Sequence, residues 1–334
     1  MSKIALIVFQ EEKARGGSRL FTGWSGFLKT KIGTALYCIL NKKKFKNGIR
    51  EFEIEPGQGG LSIGMPFSVS FLSKLNRPYL EQRITKYCSD HACNSCYVPA
   101  AAKKQGFMAN TTFDLQFVIF KALLVPILDV IYSESGIRLD HLDTAIVSSD
   151  NMDELAVVVG QVEPFMRYIN IAAADKEAVE DKLSSICMDS GISIFVSSDV
   201  KGILRNADLI INMDKASTLS KYRIKSGSLV FCFSNEERQR FQGEYTVIRG
   251  VEYTFPENQY EVFDKETRQN FSKAELTEML TVCRAGLPKE AYYNAVSAGA
   301  VLKVFRESQC RITGFQGRRG VLKVENILKT IRIG

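Results

Sequence analysis

Short apolar runs alternate with amphipathic segments through the middle of the chain. Runs rich in β-branched residues predict six strands, at residues 143–147, 168–172, 192–196, 207–212, 228–233 and 245–248. The segments between the first four runs have helical periodicity, and in the first of them Leu155, Val158, Val159 and Val162 share one face. Strands separated by helices form βαβ units, so the pattern predicts an α/β fold with a doubly wound, mostly parallel sheet of the Rossmann type.

Start and stop signals support these helices. Asp150 and Asp175 are predicted to cap the first two, and Gly191 stands where the second helix would end in a left-handed residue. Near the C-terminus, Ser272 and Glu275 have the spacing of a capping box. Residues 272–306 are therefore also predicted to be helical.

The N-terminal region mixes apolar runs with turn signals. Residues 4–9 predict a buried strand and are too short for a signal peptide. The basic run at 42–46 predicts a solvated hairpin tip or loop, with contact to an anionic membrane or RNA as the alternative. The glycine-rich residues 57–60 lack the Lys-Ser/Thr of a P-loop and also predict a loop. Glycines and arginines at 311–334 predict a flexible basic turn rather than a phosphate cradle.

Length and composition suggest two domains. The chain has 334 residues, of which 45% are hydrophobic and 24% charged, which is ordinary for a globular protein. We expect a basic N-terminal α/β or α+β domain over 1–110, a connecting apolar helix over 111–140 and a Rossmann-like domain over 141–271. Helices and a basic tail over 272–334 are expected to pack back on the N-terminal domain.

The net charge of +7 is unevenly distributed. Residues 1–110 hold 17 Lys/Arg and 7 Asp/Glu, residues 111–274 hold 17 and 25, and residues 275–334 hold 10 and 5. This layout favours a small anionic ligand in an interdomain cleft and does not indicate nucleic-acid binding. No run approaches the ~20 apolar residues of a transmembrane helix. Eight cysteines without a secretory signal predict a cytoplasmic protein. The sequence leaves the oligomeric state open.

The order of elements, with Ala-Asp-Leu-Ile-Ile-Asn at 207–212, resembles the nucleotide-binding domain of shikimate dehydrogenases and related amino-acid dehydrogenases over about residues 140–250. The resemblance implies that Asn212 and Met213 lie near a bound nicotinamide and that Asp175 stands where the ribose-binding acid belongs. With Ser148 and Ser149 of the first turn, Asp175 and Asn212 are the predicted cofactor-binding residues, and NAD(P) is the implied cofactor.

The first turn departs from the dinucleotide pattern. A dinucleotide site needs G-x-G-x-x-G there, because the glycines let backbone N–H groups reach the pyrophosphate. Residues 148–154 instead read Ser-Ser-Asp-Asn-Met-Asp-Glu, with no glycine and three carboxylates. The sequence therefore predicts a binding or regulatory protein on a dehydrogenase-like scaffold without ordinary dinucleotide binding. An NAD(P)-dependent oxidoreductase acting in the interdomain cleft is the alternative.

A second candidate site is a cysteine cluster. Cys88, His91, Cys93 and Cys96 fall within nine residues, and C-x2-C spacing allows two thiolates to share a tetrahedral zinc or to serve an iron–sulfur cluster. No second Cys/His pair lies elsewhere in the chain. The alternatives are reduced cysteines in a turn and small core, or a Cys93–Cys96 redox pair. No catalytic residues can be assigned, since neither histidine lies in a nucleophile motif.

Overall fold

The structure is a computed structural model, and it describes residues 3–10, 25–108, 115–148, 151–214, 219–233, 243–288, 291–318 and 320–333. Its contacts divide the chain into two compact units. The first unit comprises Met1–Leu115, Phe255–Ala291 and Lys303–Gln309, and the second comprises Gln116–Thr254, Tyr292–Leu302 and Cys310–Gly334. Each unit is therefore assembled from segments that are distant in the sequence.

The elements follow one another along the chain in three groups. The N-terminal group contains β1 (Lys3–Phe9), α1 (Ser25–Leu28), α2 (Lys31–Leu40), α3 (Lys42–Asn47), β2 (Ile49–Glu55), β3 (Gln58–Met65), α4 (Arg77–Asp90), β4 (Cys93–Tyr97) and α5 (Ala100–Lys103). The middle group contains α6 (Gln116–Ala122), α7 (Leu124–Ser135), β5 (Thr144–Val147), α8 (Met152–Val162), β6 (Tyr168–Ala172), α9 (Lys176–Ser190), β7 (Ser193–Ser197), α10 (Val200–Asn206), β8 (Leu209–Asn212), β9 (Leu229–Cys232), β10 (Thr246–Ile248) and β11 (Gly250–Thr254).

The C-terminal group is shorter. It contains α11 (Lys265–Asn270), α12 (Lys273–Arg284), α13 (Ala295–Glu307), β12 (Arg311–Gly317), β13 (Gly320–Leu322) and α14 (Val324–Ile333). In α12 the predicted capping box is present, because the Ser272 hydroxyl accepts from the Glu275 N–H and the Glu275 carboxylate accepts from the Ser272 N–H.

The first unit contains a mixed sheet of four strands in the order β2-β3-β1-β4. Strand β1 lies parallel to β3 and β4, and its residues 4–9 are almost completely buried, which confirms the predicted buried strand. Helices α11 and α12 pack on this sheet, so residues 265–284 return to the N-terminal strands, whereas Cys310–Gly334 belongs to the second unit. Asn270 fixes this return, because its Nδ2 donates to the Phe9 carbonyl and its Oδ1 accepts from the Phe9 N–H.

Two segments of the first unit differ from the predicted loops. Residues 42–47 form the short helix α3, since lysine is a good helix former and Phe45 packs against the Phe67 ring. The glycine-rich residues 58–65 form strand β3 in the interior of the sheet. Glycine is required here by the close approach of backbones, because a Cβ on Gly60 would lie 2.0 Å from the Ile4 carbonyl oxygen.

The second unit contains the predicted doubly wound sheet. Its six strands are all parallel and follow the order β10-β9-β8-β5-β6-β7. Right-handed crossovers place α8 and α9 on one face and α10 on the other. The predicted strands agree with the observed ones to within two residues at either end. Asp175 caps α9, and Gly191 ends it with φ of 71°.

The C-terminal segment also differs from its prediction. Residues 311–317 and 320–322 form strands β12 and β13. Strand β12 pairs with β11 on one side and with β13 on the other in a three-stranded antiparallel sheet, and α14 follows. The spaced glycines serve this hairpin: Gly320 has φ of 123°, and a Cβ on Gly317 would lie 2.5 Å from a Leu322 methyl carbon. The segment is therefore a regular hairpin and helix rather than a flexible turn.

Among the described residues no single helix has the length and apolar character needed to cross a membrane. One bent pair, Gln116–Ala122 with Leu124–Ser135 at 54°, meets the length and composition criteria when its two helices are taken together.

Candidate functional site

The candidate site lies where the winding of the six-stranded sheet reverses. From β5 the chain proceeds through β6 to β7 on one side, and from β8 it proceeds through β9 to β10 on the other. Strands β5 and β8 are neighbours, and Val147 pairs with Asn212 at their carboxyl ends. In open parallel sheets ligands bind in the crevice outside this switch point. The turn after β5 and the end of β8 thus form the candidate site.

Helix α8 begins at this edge and supplies its own cap. The Asn151 side chain accepts a hydrogen bond from the Glu154 N–H at 3.2 Å. The cap is therefore Asn151 and not the predicted Asp150, which lies outside the described residues together with Ser149. Asn151 serves as well as Asp150 would, since both side chains have an oxygen that can reach the first turn.

Two carboxylates in the first turn of α8 are paired with lysines. The Lys121 Nζ lies 2.5 Å from a Glu154 oxygen, with only 12% and 21% of the two side chains exposed. The Lys182 Nζ lies 2.5 Å from an Asp153 oxygen, but Asp153 is 86% exposed. Negative charge also interacts favourably with the positive end of the helix dipole. The first turn of α8 thus carries two anionic side chains, each of which is paired with a lysine from another helix.

Aromatic rings surround Lys121. Its Nζ lies 5.4 Å from the Tyr293 ring centroid and 5.9 Å from that of Phe233, both within the range of cation–π attraction. Phe233 directly follows β9, and its N–H donates to the Asn212 carbonyl. Burial raises the pKa of Tyr293, and the nearby negative charge of Glu154 adds a smaller increase. Within the described part of the chain the Tyr293 hydroxyl finds no hydrogen-bond partner. Lys121 and Glu154 thus form a shielded ion pair at the carboxyl edge of the sheet.

Of the predicted cofactor-binding residues, Ser148 and Asn212 come to one edge. The Ser148 N–H donates to the Ala172 carbonyl. Asn212 is fully buried, and its Nδ2 donates to the Asp214 carbonyl at 3.0 Å, whereas its Oδ1 has no partner among the described residues. Asp175 follows β6 and uses its carboxylate to cap α9, accepting from the Ala178 N–H at 3.1 Å. Their binding of a cofactor stays a prediction.

The predicted metal ligands are divided between two elements. Cys88 lies in α4, whereas Cys93 and Cys96 lie in β4. The hydrogen bond between the Cys88 and Cys96 thiols lowers the pKa of Cys88 and, with burial, raises the pKa of Cys96; burial also raises the pKa of Cys93 to about 11. The His91 ring stacks on the Tyr87 ring, and the two ring centroids lie 4.1 Å apart.

None of the eight cysteines, all of which lie in the described ranges, forms a disulfide. Over the ranges that the structure describes, no three His, Cys, Asp or Glu side chains are arranged to hold a metal ion. Metal binding by Cys88, His91, Cys93 and Cys96 stays a prediction, and elemental analysis of protein purified without chelators is its direct test.

A cavity of about 340 Å³ lies on the opposite side of the sheet from α9. It is lined by Asp143, Asn170, Phe195, Ser197, Asp199, Gly202, Ile203, Asn206 and Ala207. The lining thus includes two aspartates, two asparagines and the ring of Phe195, which is 59% exposed. The Asp143 carboxylate accepts from the Tyr168 hydroxyl, and Asp199 caps α10 by accepting from the Gly202 N–H at 3.0 Å. The lining contains no lysine or arginine, so its chemistry favours a cation over an anion.

Comparison with known proteins gives only weak structural neighbours. No protein-family model matches the sequence, and no curated protein matches it. Ornithine carbamoyltransferase of Pyrococcus furiosus is 11% identical with a TM-score of 0.29, over 91% of this chain and 84% of that one.

Two dehydrogenase-type enzymes give similar values. A 5-ketofructose reductase of Gluconobacter sp. is 11% identical with a TM-score of 0.31, over 91% of this chain and 99% of that one. L-tryptophan dehydrogenase of Nostoc punctiforme is 9% identical with a TM-score of 0.29, over 99% of this chain and 85% of that one. The weak neighbours therefore include both carbamoyltransferases and dehydrogenases.

Sequence reasoning did not find the Lys121–Glu154 pair or the cavity. Lys121 is a lysine inside the apolar run that precedes β5, and a buried lysine of this kind signals a fixed partner. The cavity had a weaker signal, the alternation of Ser193, Phe195 and Ser197 on one face of β7. Neither signal identifies its partner, because Glu154 and Asn170 come from other elements.

Proposed function

We propose that the chain is a binding protein built on a doubly wound scaffold and that it does not hold a dinucleotide in the ordinary way. The observation that carries this proposal is the N-terminus of α8. Its first turn is capped by Asn151, and its two carboxylates, Asp153 and Glu154, are held by lysines. The turn before it has no glycine. Such a regulatory or ligand-carrying role agrees with the fold, which supports many activities.

The chemistry of the turn does not fit a pyrophosphate. A dinucleotide's phosphates need free backbone N–H groups and a net positive helix end. At α8 the Glu154 N–H donates to Asn151, and the Glu154 carboxylate neutralises Lys121, the shielded cation at this edge. A bound pyrophosphate would lie beside two carboxylates, and the two lysines at this helix end are already paired with them, so neither cation is left to offset the phosphate charge. We therefore derive no reaction step through a nicotinamide.

A calorimetric titration of the full chain with NAD+, NADH, NADP+ and NADPH tests this proposal. We expect no saturable binding at ligand concentrations up to about 1 mM. A dissociation constant of about 1 mM corresponds to a binding free energy of only about 4 kcal/mol. Binding tighter than about 100 µM would overturn the proposal. The variant Asp175→Asn would then show whether the ribose site is used, because asparagine preserves the α9 cap while removing the carboxylate.

The oxidoreductase alternative has one observation in its favour. Asn212 ends β8 beside the switch point, and its buried Oδ1 lacks a partner among the described residues. A buried acceptor without a partner costs free energy, about 1–3 kcal/mol, and a ligand that donates to it would recover that cost. This observation supports a ligand at the edge without specifying a nicotinamide. Dinucleotide binding in the titration would favour this alternative.

For the binding role, the 340 Å³ cavity supports a small organic cation as ligand. Asp143 and Asp199 provide negative charge, Asn170 provides an amide, and Phe195 provides an exposed ring. An ammonium group gains both from carboxylates and from an aromatic face. The earlier expectation of an anionic ligand concerned the interdomain cleft and stays a prediction there.

Titration with benzylammonium tests the cavity. We expect saturable binding that weakens about tenfold in Asp199→Asn, because that change removes one carboxylate, worth about 1.4 kcal/mol, while asparagine keeps the α10 cap. Asp175→Asn is the matched control, since it makes the same exchange at the α9 cap outside the cavity lining. Equal weakening in both variants, or no binding to the parent chain, would contradict the assignment.

A further inference from the structure

Strand β7 is the last strand on one side of the six-stranded sheet. Among the described residues it pairs only with β6, and its other edge has no described strand beside it. The Ala173 N–H donates to the Ser197 carbonyl, so the polar backbone groups of Ser197 point towards β6. Because successive residues of a strand alternate in direction, the N–H and C=O groups of Ile194 and Val196 point outwards. Within the described part of the chain, none of these four groups has a hydrogen-bond partner, so they can pair with another strand.

Strand β7 itself carries no charge, proline or bulge that would prevent pairing at its edge. Natural edge strands are blunted by charged side chains, proline or a bulge. Residues 193–197 read Ser-Ile-Phe-Val-Ser, with no charge and no proline, and the β6–β7 register runs without a shift. In the middle of the strand Phe195 is 59% exposed. An uncharged, regular edge with an exposed aromatic ring is a template for strand addition.

The sequence of β7 is close to a palindrome, which identifies the strand that fits it best. In an antiparallel pair with a two-fold axis at Phe195, each Ser193 lies opposite Ser197 of the other copy. Ile194 lies opposite Val196, and Phe195 lies opposite itself. We propose that β7 joins two copies of this chain into a dimer with one continuous sheet of twelve strands. Isologous contact of this kind is the commonest basis of homodimers.

The direction of the backbone groups agrees with this register. The outward groups belong to Ile194 and Val196, so these residues form the hydrogen-bonded pairs, four bonds in all. Phe195 then occupies a non-hydrogen-bonded pair, in which opposite Cα atoms are only about 4.5 Å apart and side chains are closest. Aromatic pairs directly across two strands stabilise strand pairing relative to alanine pairs. Hydrogen bonding and side-chain contact therefore favour the same register.

Sedimentation velocity of the full chain from about 1 to 300 µM tests the dimer, because small interfaces bind in the micromolar range. We expect the sedimentation coefficient to rise from the monomer to the dimer value. Phe195→Lys places two like charges opposite each other at the axis, and we expect it to weaken dimerisation at least tenfold. Val296→Lys is the matched control, since Val296 is 81% exposed on α13. A chain that stays monomeric, or that loses dimerisation equally in both variants, would overturn the proposal.

Disulfide cross-linking tests the register. Phe195→Cys brings two thiols to the axis, where the Cα separation suits a disulfide, and mild oxidation should give a covalent dimer. Ser193→Cys is the matched control on the same face, because the two copies of residue 193 would lie four residues apart along the strands and should not link. Both changes are made in a Cys187→Ser background, which removes the half-buried thiol of α9. Efficient linking through residue 193, or none through residue 195, would exclude the proposed pairing.

Discussion

Replacing Lys121 with methionine is expected to lower the free energy of unfolding by about 3 kcal/mol. Methionine keeps most of the volume of the side chain but leaves the Glu154 carboxylate, which is only 21% exposed, without its cation. Removing one partner of a buried pair costs about 3–5 kcal/mol, and the partial exposure here places the expected loss at the lower end. Urea denaturation followed by far-ultraviolet circular dichroism measures the change.

Lys182→Met is the matched control for this experiment. Lys182 pairs with Asp153 in the same turn of α8 at the same distance, but Asp153 is 86% exposed, so the expected loss is below about 1 kcal/mol. Adding Glu154→Gln to Lys121→Met should recover a large part of the loss, because it removes the uncompensated charge. Equal losses in Lys121→Met and Lys182→Met would show that burial of the pair does not matter.

Gly60→Ala is expected to destabilise the first unit by about 3 kcal/mol or more. The added Cβ would lie 2.0 Å from the Ile4 carbonyl oxygen of β1, a contact that the backbones of two neighbouring strands can relieve only by moving apart. Overpacking of a well-filled interior costs about 1–3 kcal/mol, and more when the obstacle is backbone. Hydrogen exchange followed by mass spectrometry should show faster exchange in peptides from β1 and β3.

Gly160→Ala provides the comparison. Gly160 lies in α8, where an added Cβ meets no heavy atom within 4 Å, so alanine should stabilise that helix by about 0.5–1 kcal/mol. Unchanged exchange in β1 and β3 of Gly60→Ala would mean that these strands do not need a glycine at their contact. Gly160→Ala thus measures the conformational cost of glycine in a helix, whereas Gly60→Ala measures the need for a residue without a Cβ where two strands approach closely.

The fold of the middle region could be predicted because its signals are local. Each helix of the doubly wound sheet has a cap and an apolar stripe within about fifteen residues, and Asp175 and Gly191 were found at the predicted ends of α9. Leu155 and Val159 are completely buried, as their spacing predicts. Neighbouring strands in such units follow from right-handed crossovers, which leave few topologies.

Predictions from composition alone were less successful. Their glycine content predicts a loop at residues 57–60 and a flexible turn at residues 311–334. Both segments nevertheless contribute strands, each to a different sheet. Glycine permits a turn, but it also permits two backbones to approach, and only the neighbouring strand distinguishes these uses. The charge of the lysine run at 42–46 predicts a hairpin tip or loop. The run is instead helical, and Phe45 packs against Phe67.

Periodicity, caps and turn residues act over short distances along the chain, so the α/β class, the parallel sheet and the acidic first turn without glycine follow from the amino-acid sequence. Which charges are paired and which strand lies at an edge depends on the tertiary structure. Lys121 meets Glu154 across 33 residues, and β7 is an edge because no other described strand of the second unit lies beyond it. Coulombic pairing and strand pairing depend on distance in space, so their partners cannot be read from neighbouring positions.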